Sequence, residues 1–306
     1  LVGLDYRDFT RKFQGYNLSG SEVIDLYNPT NYRTTGEPTL TTKWDNRVKQ
    51  TGFYVQDQIK LNNFILTIGG RQDWAKVDNN DLLANSHEIQ SDSKFTGRVG
   101  LTYVTSFGLA PYISYTESFL PSVGTAAPAR GGKAFVPMTG KQYEVGVKYQ
   151  PDESTLLSAS VFEITQQNVL TGDLQYQEYQ IQEGEVRSRG IELEGKSSFS
   201  NIDLIASLSY LDVFYTESNY GNEGNRSEAQ APWAASVWAD YHFTGQALAG
   251  VTLGGGARYT GKNFGDSDNT FKTPSFVVYD ATLSYDLAAL GPRFQGVGTR
   301  PTVRNL

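Results

Sequence analysis

Hydrophobic and polar positions alternate in runs of about ten residues along most of this chain. The run 139–150, TGKQYEVGVKYQ, sets Tyr143, Val145, Val147 and Tyr149 on one face and Gln142, Glu144, Lys148 and Gln150 on the other. A period of two marks a strand with one apolar and one polar face. Pro151-Asp152-Glu153-Ser154 supplies turn residues, and 155–165, TLLSASVFEIT, returns as an antiparallel partner.

The same hairpin design recurs with different residues. Strands are expected at 1–10, 51–61, 64–74, 94–104, 109–118, 139–149, 155–165, 186–199, 202–215, 231–243, 248–259, 275–287 and, unfinished, 293–306, about thirteen in all. Arg300-Pro301 sits oddly inside the last, because proline gives a ladder no donor. Tight links at 62–63, 105–108, 151–154, 200–201, 244–247 and 288–292 alternate strictly with long polar segments at 11–50, 77–92, 119–138, 166–184, 216–230 and 260–273. Within 166–184, the stretch QYQEYQIQ is expected to carry its strands beyond the main body.

Short turns at one end and long loops at the other are what a meandering transmembrane β-barrel produces, with apolar faces toward lipid and polar faces toward the lumen. Phe53, Trp74, Tyr103, Tyr149, Phe162, Tyr215, Trp233 and Phe243, near the ends of runs, resemble interfacial girdles. The expected fold is therefore all-β, a transmembrane antiparallel β-barrel. A soluble all-β meander of this size calls for internal repeats or sheet switching, and the sequence carries no sign of either.

Composition agrees. Nineteen Tyr, sixteen Phe and thirty-one Gly beside one Met are a strand-and-turn balance. The absence of Cys excludes thiol catalysis, a disulfide scaffold and a Cys-ligated zinc site. A net charge of −7 without a Lys/Arg cluster excludes nucleic acid as a partner class. No window approaches the ~18 apolar residues of a membrane helix, which leaves barrel strands untouched. Residues 1–6 already read as strand interior, so a preceding segment is expected.

Candidate chemistry is sparse. Asp78 and Asp81 in DNND, and Asp266 and Asp268 in GDSD, lack calcium-loop spacing and read as solvated turns. Glu163 and Glu192 form a default carboxylate pair of unfixed separation. His87 and His242 suggest no metal pair, and Gly254-Gly255-Gly256 precedes no helix, so it reads as a bend or close strand approach. No enzyme activity, cofactor or metal is expected.

The segments GFYVQDQIKLNNFILTIGGRQDW, PYISYTESFLPSVG, TGKQYEVGVKYQP, FEITQQNVL, GEVRSRGIELEGK, ASVWADYHF, GGGARYTG and VVYDATLSYDL, in that order, closely resemble the barrel of TonB-dependent siderophore receptors, in particular the ferric hydroxamate (ferrichrome-type) branch. The resemblance implies that 1–306 is a partial barrel, about thirteen strands of a family barrel of roughly 22, without the plug domain and the closing strand. It implies an outer-membrane receptor and transporter that captures a ferric siderophore at its extracellular face. The implied partners are the TonB complex, through the plug, and outer-membrane lipid, with the intact receptor a monomer. A passive porin-like channel and a soluble β-rich glycan-binding or hydrolytic protein are the competing classes.

A neutral iron chelate offers apolar surface and carbonyl acceptors, so its site is expected to combine loop aromatics with a few polar groups. The resemblance points to Phe13 and Tyr16 first, then Tyr115 and Phe119. Arg98, Glu144, Lys148, Arg187 and Arg189 are expected to line the lumen and face the plug.

Overall fold

The computed structural model describes residues 1–18, 37–173, 175–176, 179–219 and 221–305. Its long strands are β1 (Val2–Leu18), β2 (Pro38–Leu61), β3 (Phe64–Asp81), β4 (Ser86–Tyr103), β5 (Leu109–Leu120), β6 (Met138–Tyr149), β7 (Thr155–Gly172), β8 (Gln180–Phe199), β9 (Ile202–Glu217), β10 (Trp233–His242) and β11 (Val251–Thr260). After a two-residue hairpin, β12 (Asn263–Phe264) with β13 (Lys272–Thr273), comes the last long strand, β14 (Phe276–Asp286). Each long strand pairs antiparallel with its neighbour in sequence, giving one sheet ordered β1 through β11 and then β14. The expected strand at 293–306 is instead two 3-10 turns (Leu287–Leu290, Pro292–Phe294) and two short pieces on β14, β15 (Gly298–Thr299) and β16 (Thr302–Arg304). Pro301 lies between the pieces, where it cannot donate to the ladder.

Residues directly opposed across an antiparallel ladder share a face. One row reads Leu66, Leu101, Ile113, Val145, Val161, Ile191, Tyr210, Trp233 from β3 to β10. The neighbouring row, on the other face, reads Thr67, Gly100, Ser114, Glu144, Phe162, Gly190, Leu211. The first face is an apolar band in which Ile113 and Val145 are 56% and 52% exposed. A continuous band of that kind suits lipid and not water.

Aromatic contacts edge this outer face at both ends: Phe64–Tyr103 at 4.8 Å toward the turns, and Tyr115–Tyr143 at 4.9 Å and Tyr210–Trp233 at 4.8 Å toward the loops. Phe64 and Trp74 are about ten residue steps apart on β3, ~34 Å along the strand. At ~40° of tilt that spans ~26 Å of membrane normal, close to the hydrocarbon band of outer-membrane barrels.

The inner face keeps its rings flat. A Cβ at Gly146 would stand 2.6 Å from the Tyr112 ring carbon Cζ, so only glycine lets that ring lie across β6 and reach Glu144 at 2.5 Å. Lys148 Nζ stands 5.6 Å from the same ring.

Beyond the band the strands continue. The expected loop 11–50 is ladder as far as Leu18 and again from Pro38; the rest of it, 19–36, lies outside the described residues. The expected loop 77–92 is mostly hairpin, with β3 and β4 paired up to Asp81–Ser86 and only 82–85 turning, so the strict alternation of tight and long links breaks there. Beyond the lipid band the outer face of these extensions need not be apolar, so their sequence carries no regular strand period. β7 and β8 likewise extend, paired up to Gly172–Gln180.

Candidate functional site

Among the described residues the buried apolar ones, Val48, Ala75, Val77, Ala127, Phe135 and Ile181, gather at the loop end, above the lipid band. Segment 121–137 produces this small core by folding across the inner face of β2 and β3. Pro128–Arg130 forms a 3-10 turn closed by Gly131 at φ 95°, and the segment doubles back on itself through the Thr125–Ala134 bridge.

Three anchors hold it. Gly124 N donates to Asn79 Oδ1 at 2.7 Å on β3. Gln182 Nε2 donates to the Val136 and Asn168 carbonyls, and Asn168 Nδ2 to the Pro137 carbonyl at 2.9 Å. Arg130 donates through Nε and Nη2 to both oxygens of Asp173, whose side chain is 0% exposed. Arg130 above all, then the backbone N–H groups of Gln175 and Tyr176, hold the Asp173 carboxyl down at about 2 against the opposing effect of desolvation.

Beneath that segment lies a cavity of about 350 Å³. Arg11 and Phe13 of β1, Trp44 and Asn46 of β2, Asn79 and Asp81 of β3, Gly124 and Phe135 of the folded segment, and Tyr179 beside β8 line it. Phe13 and Trp44 are cross-strand partners with rings stacked at 5.1 Å, and the Arg11 guanidinium lies 4.9 Å from the Trp44 ring. The wall therefore presents a broad aromatic surface, the Arg11 cation, the Asp81 carboxylate and the carboxamides of Asn46, Asn79, Asn80 and Gln180. Such a set can hold a compact body with apolar flanks and oxygen acceptors.

The sequence-derived site residues divide. Phe13 lies in the cavity. Tyr16 does not: three residues on from Phe13 along one strand, it alternates onto the opposite face, where its hydroxyl donates to Gln14 Oε1 at 3.2 Å. Tyr115 and Phe119 alternate onto the outer face, where Tyr115 meets Tyr143 and donates to Glu117 at 2.8 Å.

Arg98, Glu144 and Lys148 face the lumen. Arg187 and Arg189 do not. Arg189 opposes Glu163 at 2.6 Å on the outer face and lies over Phe214 at 5.6 Å, and Arg187 reaches Glu185 at 3.5 Å. They stand at or beyond the loop-side girdle, where the outer face is wet and accepts charge.

Glu163 and Glu192 thus lie on opposite faces, which removes them as a carboxylate pair. Asp81 and Asp266 cap turns, accepting from Leu83 N and Ala84 N at 3.0 and 2.9 Å and from Thr270 N at 2.8 Å. His87 pairs with Asp78 and His242 with Asp203. Among the described residues no cluster of ligating groups could hold a metal ion.

Trp44, Arg11, Asn46, Asn79 and Tyr179 are wall residues that the sequence did not mark. Their one legible trace is the alternation Trp44, Asn46, Val48, which continues the inner face of β2 upward. A larger depression, about 790 Å³, lies on the outer side among Val99, Leu101, Ile113, Val145, Val161 and Ile191. It is part of the apolar band.

Residues 1–306 match the family model described as TonB dependent receptor-like, beta-barrel. The chain is 39% identical over 303 residues to the ferrichrome outer membrane transporter/phage receptor of Escherichia coli K12, covering 95% of this chain and 40% of that protein. It is 34% identical over 308 residues to the ferrioxamine B receptor of Salmonella typhimurium SL1344, covering 100% and 43%. The ferric-catecholate import receptor Fiu of E. coli K12 superposes with a TM-score of 0.77 at 18% identity, over 100% of this chain and 47% of that one. The chain thus spans less than half the length of these relatives. On the match over its whole length, it belongs to the TonB-dependent receptor-like β-barrel family, a family of receptors and not of enzymes.

Proposed function

We propose that this chain forms wall and mouth of an outer-membrane receptor that captures a ferric hydroxamate siderophore at its loop end for TonB-energised import. The observation that carries this reading is the cavity built by Phe13, Trp44 and Arg11 under the anchored segment, on the inner face and beyond the lipid band. Its aromatic flank suits the apolar periphery of a wrapped iron chelate, and its carboxamides and guanidinium suit the chelate's oxygens. Similarity to receptors for ferrichrome and ferrioxamine B supports the hydroxamate class.

In the intact receptor Arg98, Glu144 and Lys148 contact a plug domain filling the lumen, and that domain engages TonB. Lipid covers the outer band, and the receptor works as a monomer. The test is radioactive-iron uptake from ferrichrome and ferrioxamine B by a receptor-deficient strain expressing the intact receptor, with and without TonB. Uptake that needs TonB, and falls in Phe13→Ala and Trp44→Ala, is expected. Uptake that persists without TonB makes the protein a passive channel.

A further inference from the structure

Asn79 on β3 is 4% exposed and lines the cavity. The orientation of its carboxamide follows from its partner. Gly124 N–H, 2.7 Å away, can only donate, so the atom facing it is the acceptor Oδ1 and Nδ2 is turned the other way. That Nδ2 is sealed from solvent and meets no hydrogen-bond acceptor among the described residues. Folded proteins leave few buried donors unmet, because each forfeits the hydrogen bonds it had in water.

The neighbours do not relieve it. Asn46, its direct cross-strand partner and 5% exposed, spends Oδ1 on Asn80 N at 3.2 Å. Asp81 accepts the Leu83 and Ala84 amides of the turn through Oδ1 alone, and its other oxygen makes no bond to Asn79 Nδ2. Arg11 adds donors and no acceptor. What Asn79 Nδ2 lacks is therefore an oxygen within hydrogen-bond reach.

We propose that Asn79 reads the ligand: its Nδ2 donates to an uncharged acceptor oxygen, of the amide or hydroxamate carbonyl type, on the chelate held in this cavity. This rests on the ferric-chelate reading above. It adds a selectivity rule, since a chelate turning only apolar groups or donors toward β3 leaves Nδ2 unmet and binds less well. Asn79 also holds Gly124, so the residue that meets the ligand is the residue that seats segment 121–137.

The experiment uses the intact receptor in detergent, with ferrichrome and ferrioxamine B as probes and tryptophan fluorescence quenching as readout. Asn79→Asp keeps the volume and the acceptor for Gly124 N–H but carries no donor at neutral pH. Its Kd is expected to rise at least about tenfold, with protease resistance of 121–137 unchanged. Asn79→Ala loses donor and anchor, so weaker binding comes with faster cleavage of 121–137. An Asn79→Asp Kd within about twofold of the parent overturns the proposal, and weakening accompanied by release of 121–137 in that variant overturns it in favour of loop support.

Phe13→Ala, measured alongside, separates the two readings. If it too leaves Kd unchanged, the cavity is not the ligand site; if it alone weakens binding, only the role of Asn79 falls. Should neither Asn79 variant fold, the parent receptor is imaged with ferrichrome bound. A carbonyl-type oxygen within about 3.5 Å of Nδ2 supports the assignment, and a water or apolar group there refutes it.

Discussion

Phe13→Ala and Tyr16→Ala form a matched pair, because the residues are three apart on one strand and so stand on opposite faces. Phe13 is 45% exposed and Tyr16 55%, so exposure alone ranks Tyr16 as the better ligand contact. Register ranks them the other way. The uncovered part of Phe13 looks into the cavity, and a phenylalanine carries ~200 Å² of surface, of which roughly 90 Å² is therefore open to a ligand. At ~25 cal/mol per Å² its coverage contributes about 2 kcal/mol, or ~30-fold in Kd, as an upper figure. Tyr16 faces Gln14, away from the cavity, and its loss is expected to change Kd less than about twofold. The assay is titration of the detergent-purified intact receptor with ferrichrome, followed by fluorescence quenching. Trp44, stacked on Phe13, makes the signal local. Equal effects from the two variants, or a larger one from Tyr16→Ala, refute the assignment of faces beyond the band.

Three further outcomes follow from the wall and its anchors. Val145→Arg, in the middle of the outer band, is expected to cost ~2–4 kcal/mol in urea unfolding from lipid vesicles, whereas Ser158→Lys on the lumen face costs well under half of that; equal costs contradict the lipid assignment. Gly146→Val drives Tyr112 off β6 and breaks its bond to Glu144, a loss of ~1–3 kcal/mol that Tyr112→Ala in the same chain partly restores; failure of that restoration removes ring packing as the cause. The Asp173 carboxyl is lowered to about 2 in the folded receptor from its ordinary 3.8, so the folded state favours its charged form. The Arg130 anchor is therefore fully present above about pH 4 and fades as pH falls toward 2. Hydrogen exchange of 121–137 is expected to stay slow from pH 7 to 5 and to quicken at pH 7 in Asp173→Asn, and unchanged exchange in that variant argues against the anchor.

Lipid made most of the fold legible. Inside the band one face must be apolar and the other polar, and that requirement writes the period of two seen in 139–149 and in β6, Met138–Tyr149. Outside the band the outer face meets water instead of lipid, the requirement lapses, and ladders such as Asn79–Glu88 look like loops. The same lapse misplaced Arg187 and Arg189. Charge on a strand signals the lumen only at band height, and above the Tyr115–Tyr143 girdle it is equally at home outside. Phe13 and Tyr16 were both singled out by the family resemblance; had 11–50 been read as continued strand, their spacing of three would already have put them on opposite faces.

The same parity argument explains why the candidate site lies where it does. In the lipid band the sheet needs no water-type core, since lipid covers one face and the lumen wets the other. Above the band the strands stay paired but lose lipid, and their inner face is stabilised only where something folds onto it. Segment 121–137 does so, and it buries Val48, Ala75 and Val77 at the price of bringing Asn46 and Asn79 under cover with them. A cover made only for stability calls for an apolar residue at position 79, because a buried amide that is half satisfied weakens the fold. Keeping Asn79 there costs stability unless a ligand supplies the missing acceptor. The mouth is thus best understood as a core left one partner short, with Phe13, Trp44 and Asn79 arranged around the space that partner takes.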